Sequence, residues 1–110
     1  MRTVIRTSAF NDLYNSVEDN VRLKIDYAVA LIIHMKVVST KFVKKLEGTY
    51  FYEMRISVDK EYRIILFAVD KENFIEAEQI LLLNGFVKKS KKDYKRQIAI
   101  AEKIIKEELL

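Results

Sequence analysis

The sequence predicts an α+β fold, in which an antiparallel sheet carries N-terminal helices on one face and is followed by a C-terminal helix. Three observations predict it. Apolar residues recur at helical spacing between residues 21 and 32, two runs between residues 50 and 69 alternate between apolar and polar positions, and a second helical stripe follows residue 93. Helices, then a meander of strands, then one helix is an order typical of α+β proteins.

The chain is predicted to open with a short strand and a short helix. The apolar pair Val4–Ile5 fits a brief strand. A helix then starts at Ser8 or Asn11, both residue types that cap helices, and runs through Val17.

A longer helix and a basic connection follow. Asp19 or Asn20 caps the second helix, which is predicted to run to about Val38. Its apolar positions share a helical period: Val21, Ile25, Ala28, Val29 and Ile32. Lys41–Gly48 is interpreted as a basic connection that ends in a glycine turn.

Three strands form the predicted meander. The first, Tyr50–Ser57, places Tyr52, Met54 and Ile56 on one face and Phe51, Glu53 and Arg55 on the other. A turn at residues 58–60 leads to Glu61–Val69, which places Tyr62, Ile64 and Leu66 on one face and Arg63, Ile65 and Phe67 on the other. A loop near Asp70–Asn73 precedes the third strand, whose surest part is Ile80–Val87.

The last element is an amphipathic helix. Ser90 and Asp93 resemble a capping box with Asp in place of Glu. The helix carries one apolar stripe at a 3.6-residue period: Tyr94, Ile98, Ala101, Ile105 and Leu109.

Composition limits the organisation and the chemistry. At 110 residues the chain is expected to form one domain over residues 1–110. Cys is absent and the single His, His34, lies in the apolar second helix, so we expect no metal site and no cofactor. The N-terminus lacks an apolar signal core, and Tyr27–Ile33 is too short to span a bilayer, so we expect a cytoplasmic protein.

Positive charge is concentrated in one segment. Residues 1–81 carry 12 basic and 12 acidic side chains, whereas residues 82–96 carry six basic and one acidic, which is a net charge of +5. Residues 97–110 carry two basic and three acidic. A local cationic patch indicates a polyanion or an acidic protein as partner.

Two arginines add to this pattern. Arg55 and Arg63 are predicted to lie on the same open sheet face, and Lys88 and Lys89 leave the third strand nearby. Guanidinium groups bind phosphate in a bidentate manner, and the nearby rings Phe51, Phe67 or Phe86 can stack on unpaired bases, which suits RNA. The residues alone equally allow ordinary ion pairs of Arg55 with Glu53 or Glu61 and a solvated lysine turn.

The ordered motifs resemble a known family. G-T-Y-F-Y-E-M-R-I, E-Y-R-I-I-L-F, L-L-L-N-G-F-V-K-K-S and then a helix with I-A-I-A are similar to the RelE/ParE superfamily of toxin–antitoxin toxins. They are closest to its HigB-like branch, also described as phage-derived Gp49-like proteins. The resemblance is strongest between Leu46 and Ala101. It implies a small microbial-RNase-like fold, a metal-independent, ribosome-dependent endoribonuclease that cleaves mRNA in the A site, and a cognate antitoxin as partner.

The resemblance also implies roles for single residues. The catalytic set would be Arg63, which holds the scissile phosphate, with Arg55, Lys88 and Lys89. The substrate-binding set would be Lys91, Lys92, Tyr94, Phe86 and Asn84. Asn84 is a departure, because the position before the glycine of this motif is often His. Because no histidine can be placed on the catalytic face, a lysine crowded by other cations is the expected base.

Two other functions stay open at this point. One is a ParE-like inhibitor of DNA gyrase, which the same fold permits. The other is a non-catalytic, phage-derived RNA-binding remnant. We expect the antitoxin to dock on the apolar second helix or on the final helix, because exposed apolar faces mark interfaces.

Overall fold

The computed structural model describes residues 1–109 as five strands and three helices around one sheet. The elements are β1 (Thr3–Arg6), α1 (Ser8–Ser16), α2 (Asp19–His34), β2 (Val43–Lys45), β3 (Phe51–Val58), β4 (Lys60–Ala68), β5 (Gln79–Val87) and α3 (Lys92–Leu109). The strand order is β1-β5-β4-β3-β2. The predicted α+β class, the three strands of the meander and the final helix are confirmed.

Four details differ from the prediction. The N-cap residue of α2 is Glu18 rather than Asp19 or Asn20, and Asp19 is the first residue of the helix. The sheet is mixed, because β1 runs parallel to β5 while the other neighbouring strands are antiparallel. The predicted connection Lys41–Gly48 contains β2, a three-residue edge strand in which Val43 is buried opposite Met54. A lysine-rich edge strand discourages pairing with further strands, which explains its loop-like composition. α2 ends at His34 rather than near Val38, because Met35 leaves the helical conformation.

Helices cover both faces of the sheet. α1 and α2 pack on the face that carries Met54, Ile56, Ile64 and Leu66, and this side holds the larger core. α3 packs on the opposite face, with Ala101 fully buried near Phe51, Ile65 and Leu83. The two faces match the predicted alternation in β3 and β4, since side chains alternate across a strand. None of the helices within residues 1–109 is both long and apolar enough to cross a bilayer.

An irregularity in β5 changes which side chains face α3. Ile64 pairs with Gly85 but Leu66 pairs with Leu82, so Leu83 and Asn84 together oppose a single residue of β4. Leu83 packs in the α3 core and Asn84 hydrogen-bonds to α3. A bulge of this kind re-aims side chains, and here it places two consecutive residues on the same side.

Gly85 follows the bulge on the opposite face. A Cβ added at this position would come within 2.2 Å of the Leu13 side chain of α1 and within 3.1 Å of the Arg63 carbonyl oxygen. The glycine therefore permits the close approach of α1 to β5.

The buried side chain of Arg2 joins the end of α2 to the loop before β5. The residue is 7% exposed, and its guanidinium donates to six backbone carbonyls. These belong to the end of α2 and to the loop before β5: Ile32, Met35, Lys36, Phe74, Ile75 and Ala77. The guanidinium also lies 4.7 Å from the ring centre of Phe74. Burial lowers the pKa of Arg2. The carbonyls at the end of α2 are held by this side chain.

Candidate functional site

Three charged side chains meet on the sheet face beneath α3. Glu53 and Arg55 lie on β3 two residues apart, so they share a face. Arg63 on β4 is the register partner of Arg55, which brings the two guanidinium groups side by side. The side chain of Arg55 is 34% exposed, whereas those of Glu53 and Arg63 are 6% and 2% exposed. Two cations and one anion are therefore arranged from the rim of the sheet inward.

Arg63 is bonded mainly to other side chains. Its Nε donates to the Tyr94 hydroxyl at 3.1 Å, and its Nη1 donates to Glu61 Oε1 at 3.3 Å and to the Tyr62 carbonyl at 3.0 Å. Nε also lies 3.8 Å from Glu53 Oε2. The guanidinium is thus held by groups that can rotate or titrate, not by a fixed backbone cage.

Glu53 is the residue that the sequence interpretation missed. It was interpreted there only as an ion-pair partner, yet its carboxylate lies between the two arginines, with Oε1 3.6 Å from Arg55 Nε. Its Oε2 is buried and has no hydrogen-bond partner among residues 1–109. A buried acceptor without a partner is rare and calls for an explanation. The signal in the sequence was its position, two residues before Arg55 and on the face of Arg63.

Tyr94 closes the site from the first turn of α3. Its ring meets Phe86 edge-on at 5.4 Å, and the ammonium of Lys88 lies 5.7 Å from its ring centre. Burial raises the pKa of Tyr94, the Glu53 carboxylate raises it further, and Arg63 opposes both. The hydroxyl is therefore protonated at neutral pH and can donate as well as accept.

The turn before α3 holds the helix over the site. Asp93 Oδ2 accepts hydrogen bonds from the backbone amides of Lys89 at 2.9 Å and Ser90 at 3.0 Å. These bonds lower the pKa of Asp93. The arm of the predicted capping box that reaches back from Asp93 is confirmed. The prediction that Arg55 and Arg63 lie on an open sheet face is wrong for Arg63, since α3 and Tyr94 cover it.

A comparison with protein-family models matches residues 11–106 to the family described as phage derived protein Gp49-like. The chain belongs to this Gp49-like family. The family lies within the RelE/HigB-like toxin superfamily, so the predicted resemblance is confirmed at this level. The family is one of toxin–antitoxin-related toxins, which makes an antitoxin the expected partner. No curated protein matches the chain.

The lysines predicted from the Gp49-like resemblance lie at the rim of the site. Lys88 is half-buried beside Tyr94, whereas Lys89, Lys91 and Lys92 are exposed in the turn and the first residue of α3. Lys88 is thus the lysine of this group that the structure brings to the arginines through Tyr94. The roles of all four stay predictions.

Asn84 and Phe86 contact α3 in different ways. The Asn84 side-chain amide donates to the Gln97 carbonyl at 3.0 Å and to Gln97 Oε1 at 2.9 Å, while its own Oδ1 is buried without a partner among residues 1–109. Phe86 is buried against Tyr94. Both residues position α3, and neither ring nor amide is open to a substrate in this conformation.

No group of three or more acidic or histidine side chains within residues 1–109 is placed to hold a metal ion. His34 is the exposed last residue of α2, which lies on the other side of the sheet from α3. The chemistry available beneath α3 is that of a carboxylate, two guanidinium groups, a phenol and an ammonium.

Proposed function

We propose that this Gp49-like chain is an endoribonuclease toxin that cleaves mRNA on the ribosome and is neutralised by an antitoxin. One observation supports the proposal most directly. The buried carboxylate of Glu53 lies between Arg55 and Arg63, and its Oε2 has no hydrogen-bond partner within residues 1–109. The family resemblance assigns binding of the scissile phosphate to Arg63 and adds Arg55 to the catalytic set.

The reaction needs three catalytic contributions from the protein. The ribose 2′-hydroxyl attacks the adjacent phosphorus, so a P–O2′ bond forms while the P–O5′ bond breaks, leaving a 2′,3′-cyclic phosphate and a 5′-hydroxyl. A base must take the 2′ proton, cations must stabilise the charge on the phosphoryl oxygens, and an acid must protonate O5′.

The side chains beneath α3 can make these three contributions. Glu53 fits the base, because its Oε2 has a free lone pair. Glu53 is our alternative to the lysine base expected from the sequence, which stays a prediction. Arg63 and Arg55 fit charge stabilisation without proton transfer, since a guanidinium stays protonated. Tyr94 and Lys88 are the two candidates for the acid that protonates the leaving oxygen.

The burial of Arg63 adds one step to the proposal. A phosphate can reach the guanidinium only when the Tyr94 side chain moves away from it, because Arg63 is 2% exposed beneath that side chain. The phosphate would take the place of the Tyr94 and Glu61 oxygens. An enzyme of this kind gains from a substrate held in position by the ribosome, because positioning supplies part of the rate.

The test is a purified translation reaction with a defined mRNA, in which new 5′ ends are mapped. We expect cuts at the A-site codon with the natural chain, and their loss with Arg63→Ala. Arg96→Ala is the matched control, since it removes an exposed cation of α3 outside the site. Equal cutting by Arg63→Ala would contradict the proposed site.

The same burial favours one alternative. A chain whose central arginine is 2% exposed also fits an inhibitor that cleaves nothing and binds a protein such as DNA gyrase. Inhibition of gyrase supercoiling without any new mRNA 5′ ends would select that function.

A further inference from the structure

Lys44 and Lys45 are neighbours on the edge strand β2, and they project to opposite faces of the sheet. Lys44 is the register partner of Glu53. The residues on either side of the pair show the same alternation, because Val43 is buried in the core beneath α2 and Leu46 is buried in the core beneath α3. Lys44 therefore lies on the α3 face of the sheet, which is the face that carries the candidate site.

The two ammonium groups differ in their partners. Lys45 Nζ donates to the Thr49 carbonyl and lies 5.5 Å from the ring centre of Tyr52. Lys44 is exposed and forms no salt bridge with any acidic side chain of residues 1–109. The carboxylate beside it, Glu53, contacts the two arginines of the site instead. Lys44 thus adds a positive charge to the edge of the site that the neighbouring carboxylate does not neutralise.

β2 holds Lys44 at a fixed position relative to the arginines. The backbone amide of Arg55 donates to the Phe42 carbonyl at 2.7 Å, which joins β2 to β3 beside the site. Arg63 is the register partner of Arg55 on the next strand. Neighbouring strands lie about 4.8 Å apart, so the backbone of β2 is about 10 Å from that of β4. Because of this separation, we expect Lys44 and Arg63 to contact different phosphate groups.

Positive charge flanks the arginines on their other side as well. Lys88 follows β5, and its ammonium lies 5.7 Å from the ring centre of Tyr94 on the α3 face. The side chain of Arg63 is 2% exposed, that of Arg55 is 34% exposed, and Lys44 is fully on the exposed side of the sheet edge. Exposure therefore increases from β4 toward β2, and cations follow one another across the strands from the end of β5 to the edge at β2.

We propose that Lys44 binds the phosphate of a nucleotide next to the cleaved linkage, so that the RNA strand crosses the sheet toward β2. The inference rests on the proposed function and adds to it a binding residue and a path for the substrate. An ammonium binds phosphate as a point charge, and a cationic groove that follows the backbone is the usual means of holding single-stranded nucleic acid. Because this phosphate does not react, Lys44 contributes to substrate binding and not to the chemical step.

Two simpler roles for Lys44 fit less well. A lysine on an edge strand opposes pairing with further strands, but Lys45 already provides such a charge on the same strand. The other role is a salt bridge with Glu53. That carboxylate lies 3.6 Å from Arg55 Nε and 3.8 Å from Arg63 Nε, and within residues 1–109 Lys44 is not among its salt-bridge partners.

The test compares Lys44→Gln with Lys45→Gln in mRNA cleavage on purified ribosomes that hold a defined mRNA and an empty A site. Each variant removes one exposed positive charge from β2, on opposite faces, so Lys45→Gln controls for the net charge of the chain. The concentration of the chain is varied at a fixed, low concentration of ribosome complex. This titration gives the rate of cutting at saturation and the half-saturating concentration. Unchanged melting temperatures establish that both variants fold.

We expect Lys44→Gln to raise the half-saturating concentration about three- to fivefold, which is the effect of losing one exposed ion pair. The rate at saturation should stay within about twofold of the natural rate, because an interaction made equally in the ground state and the transition state does not change the chemical step. Lys45→Gln should change both quantities less than about 1.5-fold, because its charge lies on the other face.

A second measurement identifies the phosphate that Lys44 binds. It uses a set of mRNAs in which one linkage near the cut, on either side, is a neutral methylphosphonate. One of these mRNAs should raise the half-saturating concentration of the natural chain by the same factor as Lys44→Gln does. Lys44→Gln should be insensitive to that replacement, since the variant and the neutral linkage remove the same interaction.

Three outcomes would overturn the inference while the natural chain still cuts mRNA, so that the proposed function stands. The first is a half-saturating concentration of Lys44→Gln equal to that of the natural chain or of Lys45→Gln. The second is a lower rate at saturation with an unchanged half-saturating concentration. The third is equal sensitivity of the natural chain and Lys44→Gln to every neutral linkage. An absence of cuts by the natural chain would overturn the proposed function, and this inference with it.

Discussion

Two buried arginines in this chain have opposite surroundings. Arg2 donates to six backbone carbonyls, and within the described part of the chain, residues 1–109, none of its hydrogen-bond partners is a carboxylate. Arg63 is bonded to a phenol, a carboxylate and one carbonyl, and the Glu53 oxygen nearest to it accepts no hydrogen bond from any of residues 1–109.

This difference indicates that Arg2 stabilises the fold, whereas Arg63 belongs to the candidate functional site. The partners of Arg2 are backbone groups fixed by α2 and by the loop before β5, and the carbonyls at a helix end also favour a positive charge. The partners of Arg63 are mostly side chains that can exchange for phosphate oxygens. An arginine with a saturated cage stabilises the fold, and one with replaceable partners is available for chemistry.

The largest expected effect concerns the unbonded carboxylate. Glu53→Gln keeps the size of the side chain and removes the proposed base, so mRNA cutting should fall by about 10²–10⁴-fold, the usual contribution of a general base. The rate of appearance of new 5′ ends measures it. Glu61→Gln, at a carboxylate that is 51% exposed, is the control and should retain most of the activity.

If Glu53→Gln cuts at the natural rate, Glu53 is not the base. The proposed role of the site would then be limited to charge stabilisation by Arg55 and Arg63.

The next effect comes from the same substitution at the two arginines. Lys has three donors, so Arg2→Lys leaves several of the six carbonyls unsatisfied, three of which are in buried contacts, and should lower the free energy of unfolding by about 3 kcal/mol. Arg63→Lys keeps a charge and enough donors for its three partners, so the loss should be about 1 kcal/mol. Urea denaturation monitored by circular dichroism measures both.

Equal losses of unfolding free energy in Arg2→Lys and Arg63→Lys would show that the two arginines contribute to the fold in the same way. A larger loss for Arg63→Lys than for Arg2→Lys would reverse it, and Arg63 would then be the structural cation.

The smallest effect tests how Tyr94 holds α3 in place. Because the pKa of Tyr94 is raised in the folded chain, the neutral phenol is the form that the fold favours. Its contribution to stability is complete below its unfolded pKa of about 10 and is lost as pH rises through the folded pKa. The natural chain should therefore lose more stability between about pH 9 and pH 11 than Tyr94→Phe does.

Melting temperatures of both forms across this range provide the measurement. Tyr94→Phe retains the edge-on contact with Phe86, so it serves as its own control for packing. Parallel curves for the two forms would show that the hydroxyl does not hold α3 over the site.

The sequence predicted the parts of the fold that depend on local patterns. The alternation in β3 and β4, the stripe of α3 and the reach of Asp93 back to Ser90 are all local, and the structure confirms them. β2 was missed because a three-residue edge strand rich in lysine has no alternation to detect.

The remaining features depend on contacts between distant residues. The carbonyl partners of Arg2 are 30 to 75 residues away in sequence, so no local pattern indicates its role. The covering of Arg63 by α3 required knowing which face the helix takes. The bulge in β5 places Asn84 on the same sheet face as Leu83, toward Gln97, whereas simple alternation would place it on the opposite face. Arg55 and Arg63 were predicted as neighbours because adjacent strands of a hairpin share a register.

To test whether Arg63 is the arginine that binds the phosphate, the natural chain, Arg2→Lys and Arg63→Lys are compared in one purified translation reaction at 25 °C. All three are first checked for folding by circular dichroism, and new mRNA 5′ ends are then mapped. We expect A-site cuts by the natural chain and by Arg2→Lys, and a loss of about 10²-fold with Arg63→Lys, because a lysine cannot hold a phosphate in a bidentate manner. Full cutting by Arg63→Lys would contradict the account.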